Sequence, residues 1–157
     1  MRRTDKEITD PALMSWIIDQ AQVCHLGLAK DNIPYVLPVS FGYDRHALYF
    51  HTAKEGRKID FLAANPRVCF ECEHAVQLLR HESNPCKWSV SFQSVIGYGT
   101  VQELTELSEK RSGLNRIMQH YSGREWPFTR EDLEKVCVWR LGIESLTGKQ
   151  SKDKFVP

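Results

Sequence analysis

The stretch Tyr49-Phe-His-Thr-Ala-Lys-Glu-Gly-Arg-Lys-Ile59 decides how the middle of this chain folds. A β-type run ends there at small polar residues, and a cationic turn containing Gly56 leads into a helical pattern. The first N–H groups of a helix lack intrahelical partners and its dipole is positive at that end, so this turn favours an anion such as a phosphate. Lys58 would add charge and Thr52 a hydroxyl donor. The alternative interpretation is an ordinary solvated turn, which is the commoner fate of a Lys/Arg-rich segment.

Short β-type runs separated by turn residues precede this helix and predict a three-stranded meander. They cover residues 25–29, 33–41 and 47–52. Pro34 and Pro38 have no amide hydrogen to give to a central ladder. The second run is therefore predicted to lie at a sheet edge, to bend, or to face a ligand.

The rest of the chain adds three β-type runs and three helical patterns. The strands are predicted at residues 67–72, 88–104 and 136–143, and the helices at residues 11–22, 56–64 and from about 108 onwards. Leu13, Trp16, Ile17 and Ala21 are predicted to form the inner face of the first helix. Residues 74–87 have no clear period and are predicted to form a loop, with irregular pairing as the alternative.

These elements predict a mainly β fold with flanking helices. Six strands and about three helices form most simply a small antiparallel barrel with the helices packed outside. Gly97 and Gly99 lie in the longest run and predict a bulge or a barrel corner there. A chain of 157 residues is long enough for one compact domain, so we expect a single domain over residues 1–157.

Composition excludes several classes of function. The net charge of +1 gives no basic field, which argues against a nucleic-acid partner. The sequence contains neither the ~18-residue apolar run of a membrane span nor the apolar core of a signal peptide at its start, so we expect a cytoplasmic protein. Five scattered cysteines are an odd number without a disulfide spacing, and they are predicted to be free thiols.

Two partial motifs and one absent motif give no prediction of catalytic or metal chemistry. Cys69-x-x-Cys72-x-His74 contains zinc-ligand types, but residues three apart on a strand point to opposite faces, so we predict no metal site. The segment from Gly142 to Gly148-Lys149 departs from a P-loop in its spacing and is followed by Gln150 rather than Ser or Thr. No Gly-x-Ser-x-Gly elbow is present, so acyl transfer has no signature.

Segments spread over nearly the whole chain carry a resemblance to a known family. They include Pro34-Tyr-Val-Leu-Pro-Val-Ser-Phe-Gly-Tyr43, Leu48-Tyr-Phe-His-Thr-Ala53 with Gly56-Arg-Lys-Ile59, Asn65-Pro-Arg-Val-Cys-Phe70 and Ser94-Val-Ile-Gly-Tyr-Gly99, together with residues 1–8, 24–28 and 146–149. No segment is specific alone, but their order and spacing resemble the flavin-binding split-barrel proteins related to pyridoxamine 5′-phosphate oxidase. Within that family the chain is most similar to the 5-nitroimidazole-resistance (Nim-type) branch.

This resemblance implies a six-stranded antiparallel split β-barrel that works as a homodimer with FMN in grooves between the subunits. The cofactor-binding residues that it implies are Pro38, Val39, Ser40, His51, Thr52, Ala53, Lys58 and Ser94. The first three would run beside the isoalloxazine ring, and the next three would follow the flavin edge and phosphate. Lys58 would contact the phosphate, and Ser94 would approach the cofactor from the partner subunit. Trp126 would either stack on a flavin or substrate or pack in the core.

The resemblance implies an FMN-dependent oxidoreductase that passes electrons from NADH or NADPH to a small aromatic acceptor such as a nitro-compound. His51 is the candidate catalytic residue, as a proton donor or substrate contact, and its alternative role is only to shape the phosphate turn. FAD in place of FMN stays open. The alternative function is a non-catalytic carrier or sensor of flavin or haem, since no residue set demands turnover.

Overall fold

The computed structural model describes residues 4–151, so residues 1–3 and 152–157 of the expected domain, including part of the resembling segment 1–8, lie outside it. The helices are α1 (Pro11–Gln20), α2 (Arg57–Ala64), α3 (Leu107–Ser122) and α4 (Arg130–Glu134). The strands are β1 (Glu7–Ile8), β2 (Cys24–Lys30), β3 (Ile33–Val39), β4 (Phe41–Tyr43), β5 (Ala47–Thr52), β6 (Arg67–Leu79), β7 (Ser89–Leu104) and β8 (Cys137–Gln150). Two short 3-10 helices, Thr4–Lys6 and Pro85–Lys87, complete the described chain.

One antiparallel sheet curls into a split barrel. Its strand order is β3-β2-β6-β7-β8-β5-β4, with β1 paired to β8. β3 ends at Val39 and β4 begins at Phe41, so the single residue Ser40 joins the two ends of this order. Consecutive Cα atoms are only ~3.8 Å apart, so the two sheet edges must meet at Ser40. Between residues 4 and 151 no ladder pairs β3 with β4, and the barrel is therefore split along that line.

The expected mainly β, antiparallel split-barrel class is confirmed, but the strand count of six is wrong. The described chain has eight strands, because the predicted run 33–41 divides at Ser40 into β3 and β4 and because β1 is a two-residue strand without a β pattern. The predicted edge position is confirmed for β3. The predicted bulge is confirmed as a register shift between Tyr98 and Gly99 against β8.

One segment follows its alternative prediction, and one helix was not predicted. β6 continues to Leu79 after a register shift between His74 and Gln77, so the first part of residues 74–87 has the irregular pairing given as the alternative to a loop. Ala75 has a φ of 55° at this shift, which hides the period-2 pattern of the strand. The five-residue helix α4 was not predicted, because it is too short to show an apolar period and is set by the capping box of Thr129 and Asp132.

The buried side chains form two clusters on opposite faces of the sheet. The larger cluster fills the barrel and includes Phe41, Phe50 and Phe70, which are at most 1% exposed. The smaller cluster lies outside the barrel, between β8 and helices α3 and α4, and consists of Leu104, Leu114, Ile117, Leu133 and Val138. Strand β5 separates the two clusters, since alternate side chains of a strand point to opposite faces.

The predicted inner face of α1 is confirmed except for Trp16. Leu13, Ile17 and Ala21 pack in or against the core, whereas Trp16 is 44% exposed. The Trp16 ring instead packs edge-on against the ring of His74, with 5.0 Å between their centroids. The large apolar ring of Trp16 predicted a core position. A tryptophan ring that packs against a neighbouring aromatic ring can instead lie outside the core.

Helix α3 lies directly on strand β4 at Gly42. A Cβ atom added at Gly42 would lie 2.3 Å from the backbone carbon of Arg116, which cannot move without shifting the helix. Gly27 in strand β2 offers a matched control, because a Cβ there would meet its nearest atom at an ordinary 3.6 Å.

We expect Gly42→Ala to lower the free energy of unfolding by about 1–3 kcal/mol, the usual cost of overpacking a close contact. Gly27→Ala should be neutral or stabilising by up to ~1 kcal/mol, because alanine loses less backbone entropy than glycine. Urea unfolding followed by circular dichroism measures both. Equal midpoints for the two variants would contradict the close approach of α3 to β4.

Candidate functional site

The turn between β5 and α2 presents backbone donors at an uncapped helix start. Gly56 occupies the N-cap position with φ 119° and ψ 167°, a conformation that L-residues rarely adopt, and no side chain caps the helix. Asp10 caps α1 and Thr129 caps α4, whereas α3, like α2, starts without a side-chain cap. The N–H group of Ile59 donates to the Gly56 carbonyl oxygen at 2.9 Å, so the N–H groups of Arg57 and Lys58 are the ones that stay available to an external anion.

Two cations stand at this helix start. Lys58 is half-buried. The guanidinium of Arg57 lies 4.8 Å from the ring centroid of Tyr35 and 5.3 Å from that of Phe61. Because Tyr35 belongs to β3, this stacking brings the turn and the edge strand together. Lys58 was predicted to bind the anion and Arg57 was not, although the place of Arg57 directly after Gly56 was a usable signal.

Thr52 is buried at the end of β5 and is 2% exposed. Its hydroxyl donates to the carbonyl oxygen of Ala53 at 2.7 Å and accepts from the Trp139 indole N–H at 3.0 Å. Ala53 itself is exposed. The predicted phosphate contact of Thr52 stays a prediction, and its hydroxyl is already engaged inside the barrel.

His51 projects from the opposite face of β5, away from the barrel core, where its strand pairs it with Val138. Partial burial lowers the pKa of its imidazole, and the positive charge of Lys58 lowers that pKa further. Among residues 4–151 the His51 ring has no hydrogen-bond or ion-pair partner. An uncharged imidazole with free ring nitrogens is therefore exposed beside the turn.

His51 also lines a cavity of about 330 Å³ outside the barrel. The other lining residues are Leu114, Ile117, Met118, Phe128, Asp132, Lys135 and Val136. They come from α3, from α4 and from the segments on either side of α4. The cavity is lined mainly by apolar side chains and opens to solvent, and it was not predicted because its walls lie more than sixty residues from His51 along the chain.

The strand residues Pro38, Val39 and Ser40 lie where the two sheet edges meet. Val39 is 8% exposed and packs in the barrel, whereas Pro38 and Ser40 face outward and are exposed. Pro38 pairs with His25 across the β3–β2 ladder. The contact of Arg57 with Tyr35 places the turn between β5 and α2 beside this same strand.

Ser94 is not brought to the turn within one chain. It lies on the outer face of β7 between Glu73 of β6 and Lys149 of β8 in the strand register. β6 and β2 separate β7 from the edge strand β3. Its predicted approach to a cofactor thus depends on a second subunit and stays a prediction.

Trp126 does not pack in the core and is 40% exposed. Its indole N–H donates to the Ser122 hydroxyl at 3.0 Å, and the Arg124 guanidinium lies 3.9 Å from its ring centroid. One ring face is therefore covered by a cation. Stacking of Trp126 on a ligand from a partner chain stays a prediction.

No group of three or more His, Cys, Asp or Glu side chains among residues 4–151 is arranged to hold a metal ion. Cys72 is buried and Cys69 lies on the other face of β6, as the strand alternation predicts, and all five cysteines are free thiols. None of the helices in this range has the length and apolar character needed to cross a membrane.

We expect the His51 imidazole to titrate below 6.5, the ordinary value, when its ring proton is followed by NMR. Lys58→Gln should raise this pKa without restoring it fully, because burial is the larger cause of the shift. Lys87→Gln, an exposed change in the 80–88 segment, should leave it unaltered. The pKa of His51 is lower in the folded chain than in the unfolded chain. As the pH falls, the unfolded chain therefore takes up this proton first, and the contribution of His51 lowers the free energy of unfolding. A titration at or above 6.5 would contradict the placement of His51 beside Lys58.

Comparison with known proteins agrees with this architecture. The family model described as pyridoxamine 5′-phosphate oxidase matches residues 12–150. A candidate 5-nitroimidazole antibiotic resistance protein from Bacteroides thetaiotaomicron is 32% identical, with 92% of this chain and 86% of that chain covered and a TM-score of 0.82. No curated protein matches the chain.

Two more distant structures share the fold. The flavocytochrome Anf3 from Azotobacter vinelandii is 19% identical, with 96% of this chain and 72% of that chain covered and a TM-score of 0.80. An FAD and haem binding protein from Mycobacterium smegmatis is 18% identical, with 94% and 74% covered and a TM-score of 0.81. The family model and the 32% identical structure together establish that this chain belongs to the pyridoxamine 5′-phosphate oxidase-like family.

Proposed function

We propose that this chain binds FMN, with the flavin phosphate at the turn between β5 and α2. The observation that carries the proposal is the uncapped start of α2 at Gly56, with two cations and one carboxylate, that of Asp60, in its first turn. Free N–H donors, the positive end of the helix dipole, and the side chains of Arg57 and Lys58 fit a phosphate dianion. Ala53 is exposed beside them.

The outward side of the edge strand β3 suits the flavin ring. Pro38 and Ser40 are exposed there, and the ladder of β3 with β2 leaves its other side without a strand partner among the described residues. Free backbone carbonyl and amide groups can pair with the polar edge of the flavin. Arg57, stacked on Tyr35, links this strand to the phosphate turn. The same donors would also fit FAD, and we propose FMN because it is the smaller of the two cofactors.

A second copy of the chain is the proposed partner. Val36, Ile96 and Tyr98 are 67%, 41% and 53% exposed on the outer face of the sheet, where Val36, Gly27, Cys69 and Tyr98 stand in one row of the strand register. Such an apolar sheet face is usually covered by another surface. Ser94 shares this face with its strand neighbours, so a homodimer would bring it to the partner subunit. Light scattering tests this proposal, because a molar mass equal to that of one chain would contradict it.

The proposed activity is that of an oxidoreductase that uses NADH or NADPH to reduce a small aromatic acceptor such as a nitro-compound. Bound FMN would supply the hydride and electron transfer. The neutral ring of His51 has one N–H donor and one acceptor nitrogen, so it can orient an acceptor and exchange a proton with it. In this proposal the chain binds and orients the acceptor, and His51 exchanges a proton with it.

A non-catalytic carrier or sensor of flavin or haem is the second candidate. A cavity of about 790 Å³ is lined by His25, His74 and Pro38, so two imidazoles face one space large enough for a big planar ligand. His25 is held by Glu71 at 3.4 Å, and His74 packs against Trp16. An absorption spectrum of purified protein separates the two candidates, because a Soret band indicates haem and flavin bands indicate FMN or FAD.

We expect Lys58→Gln to weaken FMN binding by roughly ten- to a hundredfold, the effect of losing one charge-assisted hydrogen bond. The same change should leave riboflavin binding unaltered, because riboflavin has no phosphate. Flavin fluorescence titration measures both affinities, with Lys87→Gln as the distant control. Equal losses for FMN and riboflavin would show that Lys58 supports the fold rather than the phosphate, and no FMN uptake by the unaltered protein would defeat the proposed function.

We expect His51→Ala to keep its FMN affinity but to lose about a hundredfold or more in turnover of nitrobenzene with NADH, the usual effect of removing a general acid or base. His51→Gln keeps a hydrogen-bond donor without a titrating group and separates orientation from proton transfer. Steady-state rates of FMN-saturated protein provide the measurement. Full turnover in His51→Ala would exclude the catalytic role.

A further inference from the structure

We propose that the cavity between the end of α1 and the bulge of β6 binds the nicotinamide ring of the electron donor. This inference rests on the proposed function, because the donor is NADH or NADPH only if the chain is an FMN-dependent oxidoreductase. It goes further than that function, which assigns no residue to the donor. The cavity is separate from the one beside His51 and has a volume of about 790 Å³.

The position of this cavity brings a ligand next to the proposed flavin ring. Pro38 lines the cavity, and the flavin ring is proposed on the outward side of β3 at Pro38 and Ser40. Across the ladder of β2 with β3, Pro38 pairs with His25, which lines the same cavity. Directly paired residues of neighbouring strands have Cβ atoms only about 5 Å apart. A planar ligand at His25 is therefore within reach of a ring at Pro38.

The bulge of β6 gives the cavity a shaped wall. Ala75 in this wall has a φ of 55°, which costs free energy for a residue with a Cβ atom and persists only where the surrounding structure holds it. The adjacent His74 ring packs edge-on against the Trp16 ring of α1, with 5.0 Å between their centroids. Bulges re-aim side chains and are frequent beside functional sites. The recess is thus formed by a break in the regular ladder that α1 supports.

His25 is placed to bind the carboxamide group of nicotinamide. Its Nδ1 atom lies 3.4 Å from a carboxylate oxygen of Glu71, the residue that pairs with it on β6. When the neutral ring carries its proton on Nδ1, toward this carboxylate, Nε2 is left to accept a hydrogen bond from a ligand amide. Gln20 and Gln22 add amide donors and acceptors to the lining. Glu71 is therefore a positioning residue for His25.

The charges around the cavity favour a ring that becomes positive. Glu73 lines the cavity, and the lining contains no lysine or arginine among residues 4–151. Burial raises the pKa of the Glu71 carboxyl and the charge of Glu73 raises it further, against the opposite effect of His25. A cation beside the two carboxylates relieves their mutual repulsion. The phosphates of the donor would find no cation here and would stay outside, since the cavity opens to solvent.

Hydride transfer produces such a positive ring. The C4–H bond of the dihydronicotinamide breaks, and the hydride passes with both electrons to N5 of the flavin, which becomes the reduced anion. The donor ring is left as a pyridinium cation. The carboxylates of Glu71 and Glu73 then stabilise the charge that develops as the bond breaks. Because Glu73 is exposed, water screens its charge, and we expect only about a two- to fivefold effect on the binding of a cation.

NMR of the histidine rings tests the site with three matched ligands. These are 1-methylnicotinamide, its uncharged isostere 3-methylbenzamide, and the anion 3-methylbenzoate. FMN-saturated protein with labelled histidine is titrated with each of them. We expect a saturable shift of the His25 ring signals and none at His46, which is exposed between β4 and β5. The cation should bind about two- to fivefold more tightly than its isostere, and the anion should bind most weakly.

Absorption spectroscopy tests whether the bound ring reaches the flavin. FMN-saturated protein is reduced under argon and titrated with 1-methylnicotinamide. A pyridinium ring in face contact with the electron-rich reduced flavin gives a charge-transfer band at wavelengths beyond those of the flavin alone. We expect this band to saturate at the same ligand concentrations as the shift of His25. Free reduced FMN at the same concentration should give a much weaker band, and 3-methylbenzamide should give none.

Variants separate charge from hydrogen bonding. Glu73→Gln should lower the affinity for 1-methylnicotinamide about two- to fivefold and leave that for 3-methylbenzamide unaltered, because it removes only a charge. Glu82→Gln, an exposed change in the 80–88 segment, is the matched control. His25→Ala should weaken both amides about two- to tenfold through the lost hydrogen bond. Glu71→Ala should alter the ¹⁵N shifts that report the His25 tautomer, which a merely structural role would not do.

The outcomes distinguish this inference from the proposed function. Silent His25 signals, equal affinities for the cation and its isostere, or binding without a charge-transfer band would overturn the donor site in a protein that takes up FMN. A Soret band in the purified protein would assign the cavity to haem and would also overturn it. If FMN is not taken up, the proposed function fails. A shift of His25 in the flavin-free protein would then still support a site for carboxamide-bearing cations, and silent signals would overturn it.

Discussion

The fold depends on a connection of one residue. Ser40 joins the last residue of β3 to the first residue of β4, and these strands lie at opposite ends of the sheet. A flat sheet of this order would place its two edges many strand spacings apart, at ~4.8 Å each. The sheet must therefore curl until the edges touch, and the buried phenylalanines of the barrel fill the interior that this curvature creates.

The same closure arranges the candidate site. Because the edges meet, the start of α2 lies beside β3, and Arg57 reaches the Tyr35 ring. Strand β5 then presents Thr52 to the barrel and His51 to the outside, where it lines the cavity beside α3 and α4. The side chains of these two adjacent residues thus lie in different environments, that of Thr52 inside the barrel and that of His51 at the outer cavity.

The features that were predicted correctly from the sequence are those that depend on a few neighbouring residues. The strand 47–52, the edge position of the proline-containing strand and the bulge near Gly99 agree with the structure, because alternation, a missing amide hydrogen and a glycine act within a few residues. The break at Ser40 and the cavity around His51 depend on contacts between distant segments, which no short window contains. The shift of Trp16 out of the core likewise depends on one distant ring, that of His74.

The contact of α3 with Gly42 has a consequence for how the pocket can change. A helix whose backbone touches a strand cannot move without disturbing the barrel, so the α3 wall is fixed together with the fold. The facing wall, residues 123–136, is attached by the packing of Phe128 and Leu133 in the smaller cluster, by a few hydrogen bonds and by one capping box. Changes at the exposed positions of that short segment can alter the shape of this cavity while the barrel stays as it is. Proteins of this architecture can therefore differ at this pocket without any change to the framework of the barrel.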